Sequence, residues 1–128
     1  MLAIDTSVLI RYLVRDDPGQ AGRARALVDG SDIVVSSTVM LEAEWVLRSA
    51  YGFEAEACAR SLAAFAGLPR VTVDDPAAVA KALDWARQGV DFADALHLAK
   101  AQGCEAFASF DRDLARKAKK LDLKIRTP

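Results

Sequence analysis

Between Asp91 and Asp111 the chain reads DFADALHLAKAQGCEAFASFD. The stretch opens with two aspartates three residues apart and continues as an apolar-periodic helix. It turns at Gly103 and enters the short apolar run AFASF before another aspartate. This is loop, helix, turn and strand, with acid where the helix begins and where the strand ends. Such a unit belongs in an open α/β sheet, where ligands bind outside the carboxyl ends of the strands. Acids at those two kinds of position can converge. Two carboxylates about 4 Å apart repel by roughly 4 kcal/mol at an effective dielectric of 20. A fold that holds several together needs protons or a cation to offset the cost. Taken singly, the same residues have plainer uses, Asp91 or Asp94 as a helix cap and Asp111 as a turn residue. The case for a site rests on acids recurring at equivalent positions along the chain.

They recur from the first residues on. Leu2-Ala3-Ile4 is a short apolar run ending at Asp5, predicted to be a central buried strand. A helix follows over TSVLIRYLV, capped by Thr6 or Ser7, and Asp16-Asp17-Pro18 stops it. Pro18 opens a second helix that ends at Gly30, and Asp32 to Val35 form a β-branched strand. Ser36-Ser37-Thr38 cap a third helix, VMLEAEWVLRSAY, with Glu42 near its start, where an acid also suits the helix dipole. A fourth helix covers FEAEACARSLAAFAG, and Val71-Thr72-Val73 is the third strand. Asp74 or Asp75 caps a fifth helix that opens at Pro76 and ends before Gly89. The sixth helix spans Asp91 to Gln102, and the fourth strand Ala106 to Phe110. A seventh helix spans Asp111 to Lys120, and an edge strand lies over Leu123-Lys124-Ile125. Strands alternating with helices predict a parallel sheet covered on both faces. Asp5 and Asp111 both directly follow strands, so they lie side by side if those strands are neighbours.

At 128 residues the chain is expected to be one domain. Apolar residues make up 52%, enough for a sizeable core. No apolar run approaches the length of a membrane span, and MLAIDTSVLI lacks the basic start of a signal peptide. Cys58 and Cys104 have no metal-ligand spacing and are expected to be buried or half-buried thiols, which suits a reducing cytoplasm. The net charge of −1 does not by itself favour nucleic acid. Its distribution does so slightly. Setting aside Asp5, Glu42, Asp91, Asp94 and Asp111 lowers the acids from 18 to 13 against 17 basic residues, leaving +4. Much of that excess follows Asp111, in Arg112, Arg116, Lys117, Lys119, Lys120, Lys124 and Arg126. These are candidates for nucleic-acid contacts, with a solvated helix face as the plain alternative.

Carboxylates without a histidine partner suit a hard divalent cation, magnesium or manganese, which prefers oxygen ligands. Such a cation activates water and supports displacement at phosphorus. Other chemistries lack their parts, because the chain has no Gly-rich phosphate loop and no cysteine–histidine zinc set. The one histidine, His97, is read as half-buried structure. A phospho-acceptor domain would need a second acid or a base just behind Asp5, where Thr6-Ser7-Val8 stand instead.

Four pieces in order, LAIDTSVLIRYL, SSTVMLEAEWVLRSAYG, DFADALHLAKAQG and AFASFDRDL, cover almost the whole chain. In these it resembles the PIN-domain ribonucleases, and within them the VapC-like toxins of bacterial and archaeal toxin–antitoxin pairs. The resemblance implies a single PIN domain over residues 1–128. Its fold would be a three-layer α/β/α sandwich around a short, mostly parallel sheet. It implies a metal-dependent endoribonuclease acting on single-stranded RNA. Asp5, Glu42, Asp94 and Asp111 would be the catalytic acids, and Asp5, Asp91, Asp94 and Asp111 would hold Mg2+ or Mn2+. Thr6 and Ser109 would supply supporting hydroxyls, with Ser109 standing where threonine is commoner. Glu44 is near Glu42, but Glu42 holds the family position three residues before Trp45. The resemblance further implies a homodimer and inhibition by a small antitoxin. Ala55, Ala59, Leu62, Ala63, Phe65 and Ala66, with Trp45 and Tyr51 nearby, are the apolar surplus expected to serve such contacts. The alternative is a PIN-like module that binds RNA or protein without cutting, against which the complete acid set argues.

Overall fold

Apolar side chains at helical spacing, with acids just before several of the periodic stretches, dictate most of the architecture. A computed structural model describes all of residues 1–128. Seven helices alternate with five short strands in the order β1 (Leu2–Ala3), α1 (Thr6–Leu13), α2 (Pro18–Gly30), β2 (Ile33–Val35), α3 (Ser37–Ser49), α4 (Ala55–Ala66), β3 (Val71–Val73), α5 (Pro76–Arg87), α6 (Phe92–Lys100), β4 (Phe107–Ala108), α7 (Arg112–Lys120) and β5 (Ile125–Arg126). This is a small α/β/α fold whose strand pairs are all parallel. Acids do start several of the helices. Asp5, Asp17, Asp91 and Asp111 are the N-caps of α1, α2, α6 and α7, each accepting a backbone N–H with its carboxylate. Asp75 precedes α5 in a left-handed conformation and makes no capping bond. Its neighbour Asp74 instead accepts the Ser37 amide at the start of α3.

The strand order corrects one expectation. The three-stranded sheet runs β1-β2-β3, with Leu2 opposite Ile33 and Ile33 opposite Val71, so β2 is central and β1 is an edge. Ile33 and Val35 are fully buried, whereas Leu2 is 46% exposed. The cause lies in β4. Its Phe107 and Ser109 amides donate to the Lys124 and Arg126 carbonyls, so β4 pairs with β5 in a second, two-stranded sheet. The carboxyl ends that carry Asp5 and Asp111 therefore belong to different sheets.

The core lies between β1–β3 and the helices. Leu9, Met40, Leu47, Leu62, Phe65, Val79 and Phe92 are essentially inaccessible, and Tyr12 meets Phe65 edge to face at 5.2 Å between ring centres. Gly89 has φ +99°, a left-handed turn that lets α5 reverse into α6 at little steric cost. Lys100 reaches back to Asp75 at 3.2 Å, tying the two helices at their other end. Ala59, Leu62 and Phe65 of α4 are consumed by this core and are not surplus. Ala63 and Ala66 line an apolar cavity of about 460 Å3 between α4, β3 and α5. Tyr51 is half-buried, its hydroxyl donating to Asp16. Of the two cysteines, Cys58 is buried, but Cys104 is exposed, because it sits in the turn after α6 and not under a helix. No helix is long and apolar enough to cross a membrane.

Candidate active site

The expected acids sit where helices begin, and their hydrogen bonds follow from that placement. Asp5 is exposed and accepts the Ser7 hydroxyl at 2.9 Å. That bond, with the Ser7 and Thr6 amides, holds its carboxyl below the usual range. The next residue, Thr6, is buried, and its hydroxyl donates to Glu42 on α3. The Thr6 hydroxyl thus touches Glu42, one of the expected acids, and not Asp5. Across the sequence, Asp91 accepts the Asp94 amide at 3.3 Å and Asp111 accepts the Leu114 amide at 3.0 Å. The Ser109 hydroxyl oxygen accepts the Asp111 amide at 3.0 Å, so Ser109 orients the backbone of the acid it was expected to support.

Asp94 is the most informative of the set. Burial pushes its carboxyl up, and the Asp91 and Asp111 carboxylates push it further. His97 and Lys117 pull the other way. The acids from α6 and α7 thus share one field, although their strands do not pair with β1. The carboxylates stop short of a closed cage, since no group of three or more Asp, Glu, His or Cys side chains lies close enough to hold a metal ion. Convergence at strand ends requires β1 and β4 to be neighbours, and β4 pairs with β5 instead. His97 is exposed rather than half-buried, one turn along α6 from Asp94.

The basic candidates divide. Lys117 bears on Asp94 and also pairs with Asp113 at 3.1 Å. Arg116 pairs with Asp113 as well, which leaves Asp113 below its ordinary range, chiefly through Lys117. Arg112 makes no salt bridge and is exposed at the first position of α7, directly after Asp111.

Sequence reasoning set Glu44 aside, and the structure gives it a distinct place. Glu44 is 3% exposed. Arg48 holds it with a two-pronged bond, Nε to Oε2 at 2.7 Å and Nη2 to Oε1 at 2.9 Å. The same Nη2 lies 3.7 Å from Asp91 Oδ1, so buried Glu44 is joined through half-buried Arg48 to the start of α6. Cys58 faces this pair. Burial, and then Glu44, pushes its thiol up to about 11. The i,i+4 spacing of Glu44 and Arg48 was the available signal.

The sequence profile of the PIN domain matches residues 2–120. The chain belongs to the PIN-domain family. No curated protein and no solved structure matches it. PIN domains are generally nucleases and typically use divalent metals. The oxygen-only donor set of this PIN domain suits such an ion in kind, and the repulsion at Asp94 is the electrostatic deficit that a cation would relieve. The residues therefore fit a hard cation in chemistry, with their side chains still to draw together.

Proposed function

We propose that this PIN domain is an endoribonuclease dependent on Mg2+ or Mn2+ that hydrolyses phosphodiester bonds of single-stranded RNA. The observation that carries the reading is Asp94, in a chain of this family, half-buried and raised by that burial first and then by Asp91 and Asp111. Asp5, Glu42, Asp94 and Asp111 are the catalytic acids, and Asp5, Asp91, Asp94 and Asp111 hold the cation. When bound, the ion lowers the pKa of a coordinated water and offsets charge on the phosphate oxygens. The chain's own part is to place the donors. Capping bonds fix Asp91 and Asp111 at the starts of α6 and α7, and Thr6 holds Glu42. Arg112, Arg116 and Lys117 steer the RNA backbone, a reading supported by the small charge effect of Lys117 on Asp94.

The same reading makes the chain the toxin of a toxin–antitoxin pair, a cytoplasmic homodimer restrained by a small antitoxin. An arginine presented by that partner would pair with these carboxylates. The decisive variant is Asp94→Asn. Wild-type protein with Mg2+ or Mn2+ should cleave single-stranded RNA, and D94N should lose at least about a hundredfold of that rate. Either ion should raise the melting temperature of the wild type and not of D94N. RNA binding with neither cleavage nor a metal-dependent shift would make the chain a non-catalytic binding module.

A further inference from the structure

The strongest unassigned feature is a cavity of about 390 Å3 between α3 and the start of α6, with Trp45 on its rim. Thr38, Leu41, Glu42, Trp45 and Arg48 line it from α3, and Asp91 from the other side. Trp45 is 61% exposed, an unusual position for so large an apolar side chain. It lies one turn from Glu42 and one turn from Arg48, so ring, acid and guanidinium share a helix face. Arg48 is held rigidly. Glu44 takes its Nε and Nη2, Asp91 attracts the same Nη2, and Nη1 keeps both hydrogens free of protein acceptors.

We infer that this cavity is a nucleotide subsite for single-stranded RNA, in which a base stacks on Trp45 and the adjoining phosphate accepts from Arg48 Nη1. Three observations select that occupant. The indole is 61% exposed, and an exposed aromatic ring is a surface on which any base can stack. The free guanidinium edge supplies donors in the planar arrangement that suits phosphate oxygens. The cavity is also continuous with the candidate acids, because Glu42 and Asp91 are part of its wall. A base seated here would lead the next phosphodiester toward Asp94. Glu42, Glu44 and Asp91 outnumber Arg48, so a phosphate enters more readily once a cation neutralises the acids. The inference rests on the nuclease reading for its substrate class and adds the place where a base is held.

The chain has two tryptophans, which makes the test direct. Trp85 is 8% exposed, so Trp45 is the indole that solvent-borne bases can reach. The probe is an oligoadenylate of about eight nucleotides, within the length one single-strand site covers. It is titrated in EDTA, where metal-dependent cleavage is off. Saturable quenching of tryptophan fluorescence is expected in the wild type. W45F should keep most of the affinity and lose the quenching. W45A should keep its fold and weaken binding about 5- to 150-fold, the range that base–aromatic stacking of about 1–3 kcal/mol corresponds to. Quenching that persists in W45F, or wild-type RNA affinity in W45A, overturns the subsite. The second result would hand Trp45 to a protein partner. If the wild type cleaves RNA while W45A binds it unchanged, only the subsite fails. If the wild type neither binds nor cleaves RNA, the nuclease reading fails with it.

Discussion

At the scale of single residues, Asp94 joins the fold to its chemistry. Its ordinary carboxyl value is 3.8, and burial first, then Asp91 and Asp111, raises it in the folded chain. The native state therefore holds this proton more tightly than the unfolded state does. The contribution is most favourable below the ordinary value and is lost as pH rises through the raised one. In EDTA, Asp94→Asn should match the wild type near pH 4 and melt a few °C higher at pH 7, since the amide removes a repelled charge and keeps the volume. Melting curves across that pH range check this, and a lower melting temperature for D94N at pH 7 would make Asp94 a structural carboxylate instead. Glu42 and Glu44 stand two positions apart on α3, and the family resemblance singles out Glu42. Which of them faces the interior depends on the rotation of the helix. The structure buries Glu44 against Arg48 and leaves Glu42 exposed, tied to Thr6.

At the scale of elements, the helices were legible because each carries several independent signals. α2 is an example. Pro18 stands at its first position, Asp17 caps it by accepting the Gln20 amide at 3.1 Å, and Ala21, Ala24 and Val28 give its buried stripe. The cap can be tested in isolation, since Asp17 makes no other polar side-chain bond. Asp17→Ala should cost about 1 kcal/mol of stability by denaturant unfolding, without changing activity. A loss near zero would mean that Pro18 alone fixes the start of the helix. The strands were legible as segments but not as a sheet. Three apolar residues such as Leu2-Ala3-Ile4 read the same at the centre and at the edge, because strand order is set by partners far away in sequence. The pairing of β4 with β5 leaves no periodic trace in the sequence. The cap positions of Asp5, Asp91 and Asp111 could be read from sequence, whereas their mutual distances depended on which strands pair.

At the scale of the whole molecule, the candidate site bridges two parts of unequal stability. Glu42, Asp91 and Asp94 stand on helices packed into the main core, with Leu47, Phe92 and Ala95 fully buried beside them. Asp111 stands on the β4-α7-β5 unit. That unit has a sheet of two strands with two residues each, and α7 buries only Leu114 and Ala118. Two-stranded sheets are marginal by themselves, and segments with few buried apolar side chains open first. In metal-free protein the amides of α7, β4 and β5 should therefore exchange with solvent well before those of α5 and α6. A cation shared by Asp94 and Asp111 would bind only while this unit is docked. By mass action, ion at a hundred times its dissociation constant would add about 2.7 kcal/mol to the free energy of opening, a slowing of roughly a hundredfold. Hydrogen exchange with and without Mg2+ measures both statements. Protection gained across residues 107–126 and little changed in α5 would support a site that spans the two parts. Uniform protection across the chain, or none, would mean that Asp111 does not share the ion with Asp94.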